Sequence, residues 1–149
     1  MNRAILNNAM QILAARDHSS YELKQKLQRN GHAQEEIEEI ILHLQELNYL
    51  NDQRFAENYI RSKASRHMGR NRIQQELRQK GVSQPLINEG LQNVELDFFA
   101  LAYDTKCSKF GPALAENYQH KSKQMRYLQY RGYTFDEIRF AVEYQPEQE

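Results

Sequence analysis

Apolar residues recur along this chain at intervals of three and four, the spacing of one face of a helix. Ile5, Ala9, Ile12 and Leu13 make the first stripe, which ends near Arg16. Leu23 and Leu27 make the second, and Ile37, Ile40, Ile41 and Leu44 the third, over Gln34 to Leu47. No segment alternates Val, Ile and Thr with polar residues, and no hairpin dipeptide punctuates the chain, so strands are not expected.

The pattern then repeats. Shifted by fifty positions, Leu23, Leu27, Gly31, Ile37, Ile41 and Leu44 fall on Ile73, Leu77, Gly81, Ile87, Leu91 and Val94. Shifted by about a hundred, Leu27, Gly31 and Ile37 fall on Leu128, Gly132 and Ile138. A period of this length marks a small helical unit copied in tandem, each copy burying its apolar face with help from its neighbour. The expected architecture is all-α: nine helices in three tandem three-helix repeats, an elongated array with bounds at 1–48, 49–95 and 96–149.

Helix ends fit that division. Ser19 with Glu22, and Thr134 with Glu137, have the spacing of a capping box. Asp52 is expected to cap the first helix of the second copy, where Phe55, Ala56, Tyr59 and Ile60 face inward. Asn30-Gly31, Lys80-Gly81 and Arg131-Gly132 each end a second helix with a glycine suited to a left-handed cap. Ala33, Ser83 and Thr134 precede the third helices, although Ala33 has no side-chain acceptor. Pro85 is tolerated in a first turn. Phe98, Phe99 and Tyr103 enrich the first helix of the third copy, Gly111-Pro112 breaks the chain after it, and the tail from Pro146 to Glu149 is expected to fray.

Composition adds that this is a polar protein, with 40% apolar residues and a mean hydropathy of -0.89. Its 20 basic and 20 acidic residues give zero net charge, so no global attraction to nucleic acid operates. The charges are segregated, however. Residues 31–58 carry Glu35, Glu36, Glu38, Glu39, Glu46, Asp52 and Glu57 against Arg54. Residues 61–81 carry Arg61, Lys63, Arg66, Arg70, Arg72, Arg78 and Lys80 against Glu76, and Lys121, Lys123, Arg126 and Arg131 follow. Patches further apart than a Debye length of about 8 Å act locally and do not cancel. Arg70, Arg72, Arg78, Lys80, Arg126 and Arg131 are therefore the candidate phosphate- or carboxylate-binding set, since guanidinium forks match both anions. Gly69 and the start of the second helix behind it are expected to add an anion-attracting helix terminus. Tyr127, Tyr130 and Tyr133 suit stacking on bases, but core and rim positions suit them better. Glu35, Glu36 and Glu39 form a candidate protein-contact face, against the simpler reading of a solvated one.

Catalysis is not expected. His18, His32, His43, His67 and His120 are scattered, with no i, i+4 pair for a metal, and no glycine-rich phosphate loop occurs. Cys107 stands alone between Lys106 and Lys109, which look ordinary for a helix. No catalytic residue, metal or cofactor is assigned. The opening Met1-Asn2-Arg3-Ala4 lacks the apolar run of a secretory signal, and no apolar stretch reaches membrane-spanning length, so the expected location is cytoplasmic.

Four motifs add a family. Ala9 to Arg16 with Ser19-Ser20-Tyr21-Glu22-Leu23, Tyr49-Leu50-Asn51-Asp52-Gln53-Arg54-Phe55-Ala56, Gly69 to Leu77 closing in Lys80-Gly81-Val82, and Arg126 to Tyr133 stand in order over nearly the whole chain. In this the chain resembles the RecX regulators of the bacterial recombinase RecA. The segment from Gly111 to Lys121 matches that pattern loosely. The resemblance implies three tandem three-helix repeats. It also implies a monomer that lies along the groove of the RecA filament on single-stranded DNA, touches the strand directly or through RecA, binds duplex weakly at most, and suppresses strand exchange, ATP hydrolysis and coprotease activity. Two rival readings stand beside it: a helical module that reads duplex sequence, and a protein–protein adaptor indifferent to DNA.

Overall fold

The computed structural model describes residues 2–146; the fraying expected beyond Pro146 lies outside them. Among the described residues there are nine helices and no strand: α1 Arg3–Ala15, α2 Ser20–Arg29, α3 Gln34–Glu46, α4 Asp52–Ser65, α5 Arg70–Gln79, α6 Gln84–Val94, α7 Phe98–Phe110, α8 Tyr118–Arg131 and α9 Phe135–Glu143. Two units are distinguished. The first comprises 1–58 and 77–93, and the second 59–76 and 94–149, so α4 and α5 each contribute to both.

In the first unit Ile5, Ala9, Leu23, Leu27, Ile37, Ile40, Leu44 and Leu50 form the core, with Leu6, Met10, Ile12, Leu13 and Ile41 packed on it half-buried. These are the apolar stripes of the sequence closing on one another. In the second unit Ile60, Ala64, Ile73, Phe98, Ala102, Leu128, Tyr133, Ile138 and Ala141 are buried. Edge-to-face ring pairs line its α7–α9 contact, Phe99 with Phe140 at 5.8 Å and Tyr103 with Tyr144 at 4.8 Å.

Both expected capping boxes form, at Ser19–Glu22 and Thr134–Glu137, and Ala33 caps nothing with its side chain. One cap moves by a residue. Asn51, not Asp52, accepts the Arg54 N–H, and Asp52 instead accepts the backbone N–H and hydroxyl of Ser20. Lys106 also differs from its ordinary appearance in sequence: it is fully buried, and its ammonium donates to the Ala113 carbonyl at 2.8 Å, tying down the loop after α7.

The ends of the second helices carry the repeat. After α2, α5 and α8 the N–H of the residue that follows a left-handed glycine (Gly31, Gly81 or Gly132) returns to the carbonyl of Leu27, Leu77 and Leu128 respectively. In the first unit the start of α2 lies on the Gly81 end: the Ser19 hydroxyl donates to the Lys80 carbonyl at 2.6 Å, and a Cβ on Gly81 would fall on the Tyr21 side chain. In the second unit the start of α5 lies on the Gly132 end in the same way. There the Gly69 N–H donates to the Arg131 carbonyl at 2.7 Å and the Asn71 N–H to the Gly132 carbonyl at 2.9 Å. A Cβ on Gly132 would fall on Arg72, and one on Gly69 would fall on the Gly132 backbone. One junction is thus made twice, once through a hydroxyl and once through backbone amides.

Gly31 has nothing within 4 Å of where a Cβ would stand, so Gly31→Ala should cost only its left-handed conformation, about 1–2 kcal/mol. Gly132→Ala meets the same backbone penalty and displaces Arg72 as well, and should lose clearly more. Urea unfolding of the two variants compares them directly; equal losses would show that the junction yields freely.

Candidate functional site

The six basic candidates separate by unit: Arg78 and Lys80 lie in the first, Arg70, Arg72, Arg126 and Arg131 in the second. Three of the latter gather at the junction of α5 with α8. Arg70 stacks over the Phe98 ring at 4.9 Å and places Nε 3.2 Å from the buried Glu137 carboxylate. That Nε–H makes no hydrogen bond, so the contact is an ion pair. Arg72 hydrogen-bonds Glu76 at 3.4 Å and lies 5.1 Å from the centre of the Tyr130 ring. Arg131 donates to the carbonyls of Arg66 and His67 at 2.7 and 2.8 Å, satisfying the end of α4.

The anion site expected at Gly69 is not vacant. The Gly69 and Asn71 amides already donate to carbonyls, and the missing Cβ makes room for the Gly132 backbone. What reaches solvent is side chain: Arg70 and Arg72 keep 39% and 31% of theirs exposed while anchored from behind. Arg126 stands on the exposed face of α8 and lines a groove between α8 and α9. The tyrosines divide. Tyr133 is core, Tyr127 is half-buried and Tyr130 is exposed. Thr105 donates to the Leu101 carbonyl, which leaves its oxygen to accept from the Tyr133 hydroxyl at 2.6 Å and from His67 Nδ1 at 3.0 Å. Burial pushes the Tyr133 hydroxyl's pKa up.

In the first unit Arg78 is exposed and donates to Gln84, while Lys80 pairs with Glu22 at 3.3 Å beside Arg16 at 3.2 Å. Burial alone would raise the Glu22 carboxyl. Hydrogen bonds from Arg16 and the Ser19 N–H, with the charges of Lys80 and Arg16, outweigh it and hold the group below its ordinary 4.5. Neighbouring His18 is buried, and its Nδ1 donates to the Arg16 carbonyl while Nε2 accepts from Lys26. Desolvation, and then the nearby Arg16 and Lys26 charges, push its pKa down. Nothing in the sequence spacing distinguishes His18 from the other four histidines. Glu35 and Glu39 are exposed on α3, and half-buried Glu36 lies 3.5 Å from the Asn2 amide.

These roles separate stability from surface charge. Arg70→Ala leaves the buried Glu137 carboxylate without its cation and should cost about 1–3 kcal/mol, whereas Arg126→Ala should stay within about 0.5 kcal/mol of the parent in the same urea titration. Glu22 has a folded pKa below its unfolded one, so its contribution is complete above about pH 4.5 and fades as pH falls through the lower folded value. Between pH 7 and pH 3.5 the parent should therefore lose more stability than Glu22→Gln; identical losses would remove Glu22 from the acid limb.

Known proteins share this arrangement. The RecX first, second and third three-helix domains match residues 6–44, 51–91 and 95–142, in order. The Regulatory protein RecX of Vibrio parahaemolyticus serotype O3:K6 is 40% identical over 139 residues, covering 93% of this chain and 90% of its own. That of Cronobacter sakazakii is 39% identical, over 90% of this chain and 87% of its own. The crystal structure of RecX from Lactobacillus salivarius superposes with a TM-score of 0.78 at 21% identity, over 94% of this chain and 93% of its own. A second, titled regulatory protein RecX, gives 0.80 at 18% identity, over 93% and 71%. With all three domains matched in sequence order and relatives near 40% identity over most of their length, the chain belongs to the RecX family of regulatory proteins.

Proposed function

We propose that this protein is a cytoplasmic, non-enzymatic modulator of RecA, chiefly an inhibitor. It acts as a monomer whose three repeats, bounded at 1–48, 49–95 and 96–149, lie along the groove of the RecA filament on single-stranded DNA. There it suppresses strand exchange, ATP hydrolysis and coprotease activity in DNA repair and the SOS response. No cofactor takes part.

The observation that carries this reading is the family match along the whole chain. The geometry adds a physical reason for Arg70 and Arg72 to serve at such a surface. Each is held by an ion pair and an aromatic ring yet remains partly exposed. A guanidinium already fixed loses little further side-chain entropy on meeting a phosphate or carboxylate. Arg126 and Arg131 add to the basic residues of the second unit, Arg78 and Lys80 contribute from the first, and the Glu35, Glu36 and Glu39 face offers a contact to basic protein surface.

The reading is tested by anisotropy of labelled protein against RecA filaments formed with a slowly hydrolysed ATP analogue, naked single strand and duplex. Filaments should bind far more tightly than either naked DNA. Arg72→Ala with Arg126→Ala should weaken filament binding and flatten its salt dependence, by about 0.7 in the log–log slope for each strand phosphate contact removed. Reversal of Glu35, Glu36 and Glu39 to Lys should weaken it too, and no change would leave that face merely solvated. Tighter binding to one duplex sequence would replace this reading with a helical DNA reader, and indifference to both DNA and salt would replace it with an adaptor.

A further inference from the structure

The three copies allow one groove to be compared with itself. In each, the last turn of the second helix stands beside the first turns of the third. In the first copy a chain of hydrogen bonds closes it: Gln28 donates to Gln34 at 3.3 Å, and Gln34 to Glu38 at 3.1 Å. In the second copy the corresponding chain runs from Arg78 to Gln84 at 2.9 Å and from Gln84 to Asn88 at 2.8 Å. In the third copy the same positions hold Gln129, Phe135 and Arg139. Phe135 can neither donate nor accept, so the chain is broken.

What replaces it is a groove of about 610 Å³. Its floor is apolar, from Met125, Phe135 and Val142, and Lys24 and Gln74 are the counterparts of Met125 in the other copies. Its rim is cationic, from Lys121, Arg126 and Arg139, where Gln25 and Gln75 are the counterparts of Arg126, and Glu38 and Asn88 those of Arg139. A smaller cavity of about 310 Å³ adjoins it, sharing Met125, Gln129 and Phe135. Phe135 is 66% exposed and Tyr118, at the mouth, 83%. A phenylalanine so exposed, at a position that is glutamine in both other copies, gives most of its ring to solvent rather than to this unit's core.

We propose that the α8–α9 groove of the third copy is a docking site for an acidic amphipathic helix of a partner protein. The groove runs along α8 from Tyr118 to Gln129, about 17 Å or three helical turns at 1.5 Å per residue. An apolar stripe at i, i+3 or i+4, and i+7 on such a helix fits the Met125, Phe135 and Val142 floor. Flanking carboxylates fit three cations that, among the described residues, have one carboxylate, Glu143, at 3.4 Å from Lys121 and 3.6 Å from Arg139. A nucleic-acid strand fits less well. Its charge recurs at every nucleotide and meets Glu143, whereas the apolar lining of Met125, Phe135 and Val142 matches the apolar stripe of a helix. Arg126 is the one residue shared with the basic surface proposed above, and the inference otherwise stands apart from that reading.

The probe is a fluorescent peptide, blocked at both ends, with the sequence of residues 34–46. It is acidic and amphipathic, through Glu35, Glu36, Glu38 and Glu39 beside Ile37, Ile40 and Leu44. In the intact chain those three apolar residues are buried, so the protein does not compete with the probe. Titrated with the full chain, the peptide should bind saturably below about 1 mM, more weakly as salt rises. Phe135→Gln with Arg139→Asn rebuilds the groove of the second copy. It should weaken peptide binding at least about tenfold while the unfolding midpoint stays close to the parent's, because glutamine opens the third helix in both other copies. Arg126→Glu should weaken it as well. Absence of saturation, or equal binding by the rebuilt variant, overturns the proposal. So does loss of oligo(dT) binding in that variant with peptide binding intact, which would assign the groove to nucleic acid. Neither titration contains RecA, so failure here leaves the filament reading untouched, and failure of filament binding leaves this one standing.

Discussion

The repeat depends on backbone meeting backbone or side chain without a Cβ between them. At the end of α5 and again at the end of α8, a left-handed glycine turns the chain and leaves the space into which the start of an earlier second helix is pressed. The same residue therefore meets a conformational demand and a steric one. Alanine could be forced into the first, but not into both without moving Tyr21 or Arg72. Amides at the start of α5, which a helix leaves unpaired, find carbonyls that α8 leaves unpaired at its end. Two sets of otherwise costly groups cancel, and the contact is directional in a way that apolar packing alone is not.

That arrangement governs what the basic residues can do. Charges that composition presents as a solvated run are drawn into the junction: Arg131 closes the end of α4, and Arg70 answers Glu137, itself half of a capping box. An arginine that is both strut and surface cannot be read by a single truncation, because loss of stability and loss of affinity arrive together. Arg126, which stands clear of these bonds, reports on the surface alone.

Much of this was legible in the sequence and some was not, for identifiable reasons. Helix number, the two capping boxes and the three glycine ends follow from local chemistry, which one strand of text contains in full. The left-handed ends at Asn48 and His67 leave no mark in the sequence, because neither is glycine and the bonds that define them run back to Leu44 and Lys63 through the main chain. Burial of Lys106 and His18 was invisible too. Their partners are a carbonyl in the loop after α7 and, for His18, a lysine ammonium and a main-chain oxygen, and no residue type announces a carbonyl. The sequence marks Gly69 as part of an anion-attracting helix start, but its amide already donates to Arg131 and its missing Cβ makes room for Gly132, because what occupies that end is set by tertiary contact.

Repetition supplies the comparison that a single domain lacks. Where three copies keep a residue type, the fold requires it, as with Leu27, Leu77 and Leu128 or the glycines that follow them. Where two copies agree and the third departs, the fold has already shown that it does not need the departure. Gln34 and Gln84 link the second helix of their copy to the third through side-chain hydrogen bonds, and Phe135 gives those up to hold an exposed ring beside Arg126 and Arg139. Placing apolar surface in water is unfavourable by about 25 cal/mol for each Å², so the ring is a cost to the free chain that burial under a bound partner would remove. The third copy thus differs from the first two in the face it offers to solvent, while all three keep the left-handed glycine and buried leucine that end the second helix.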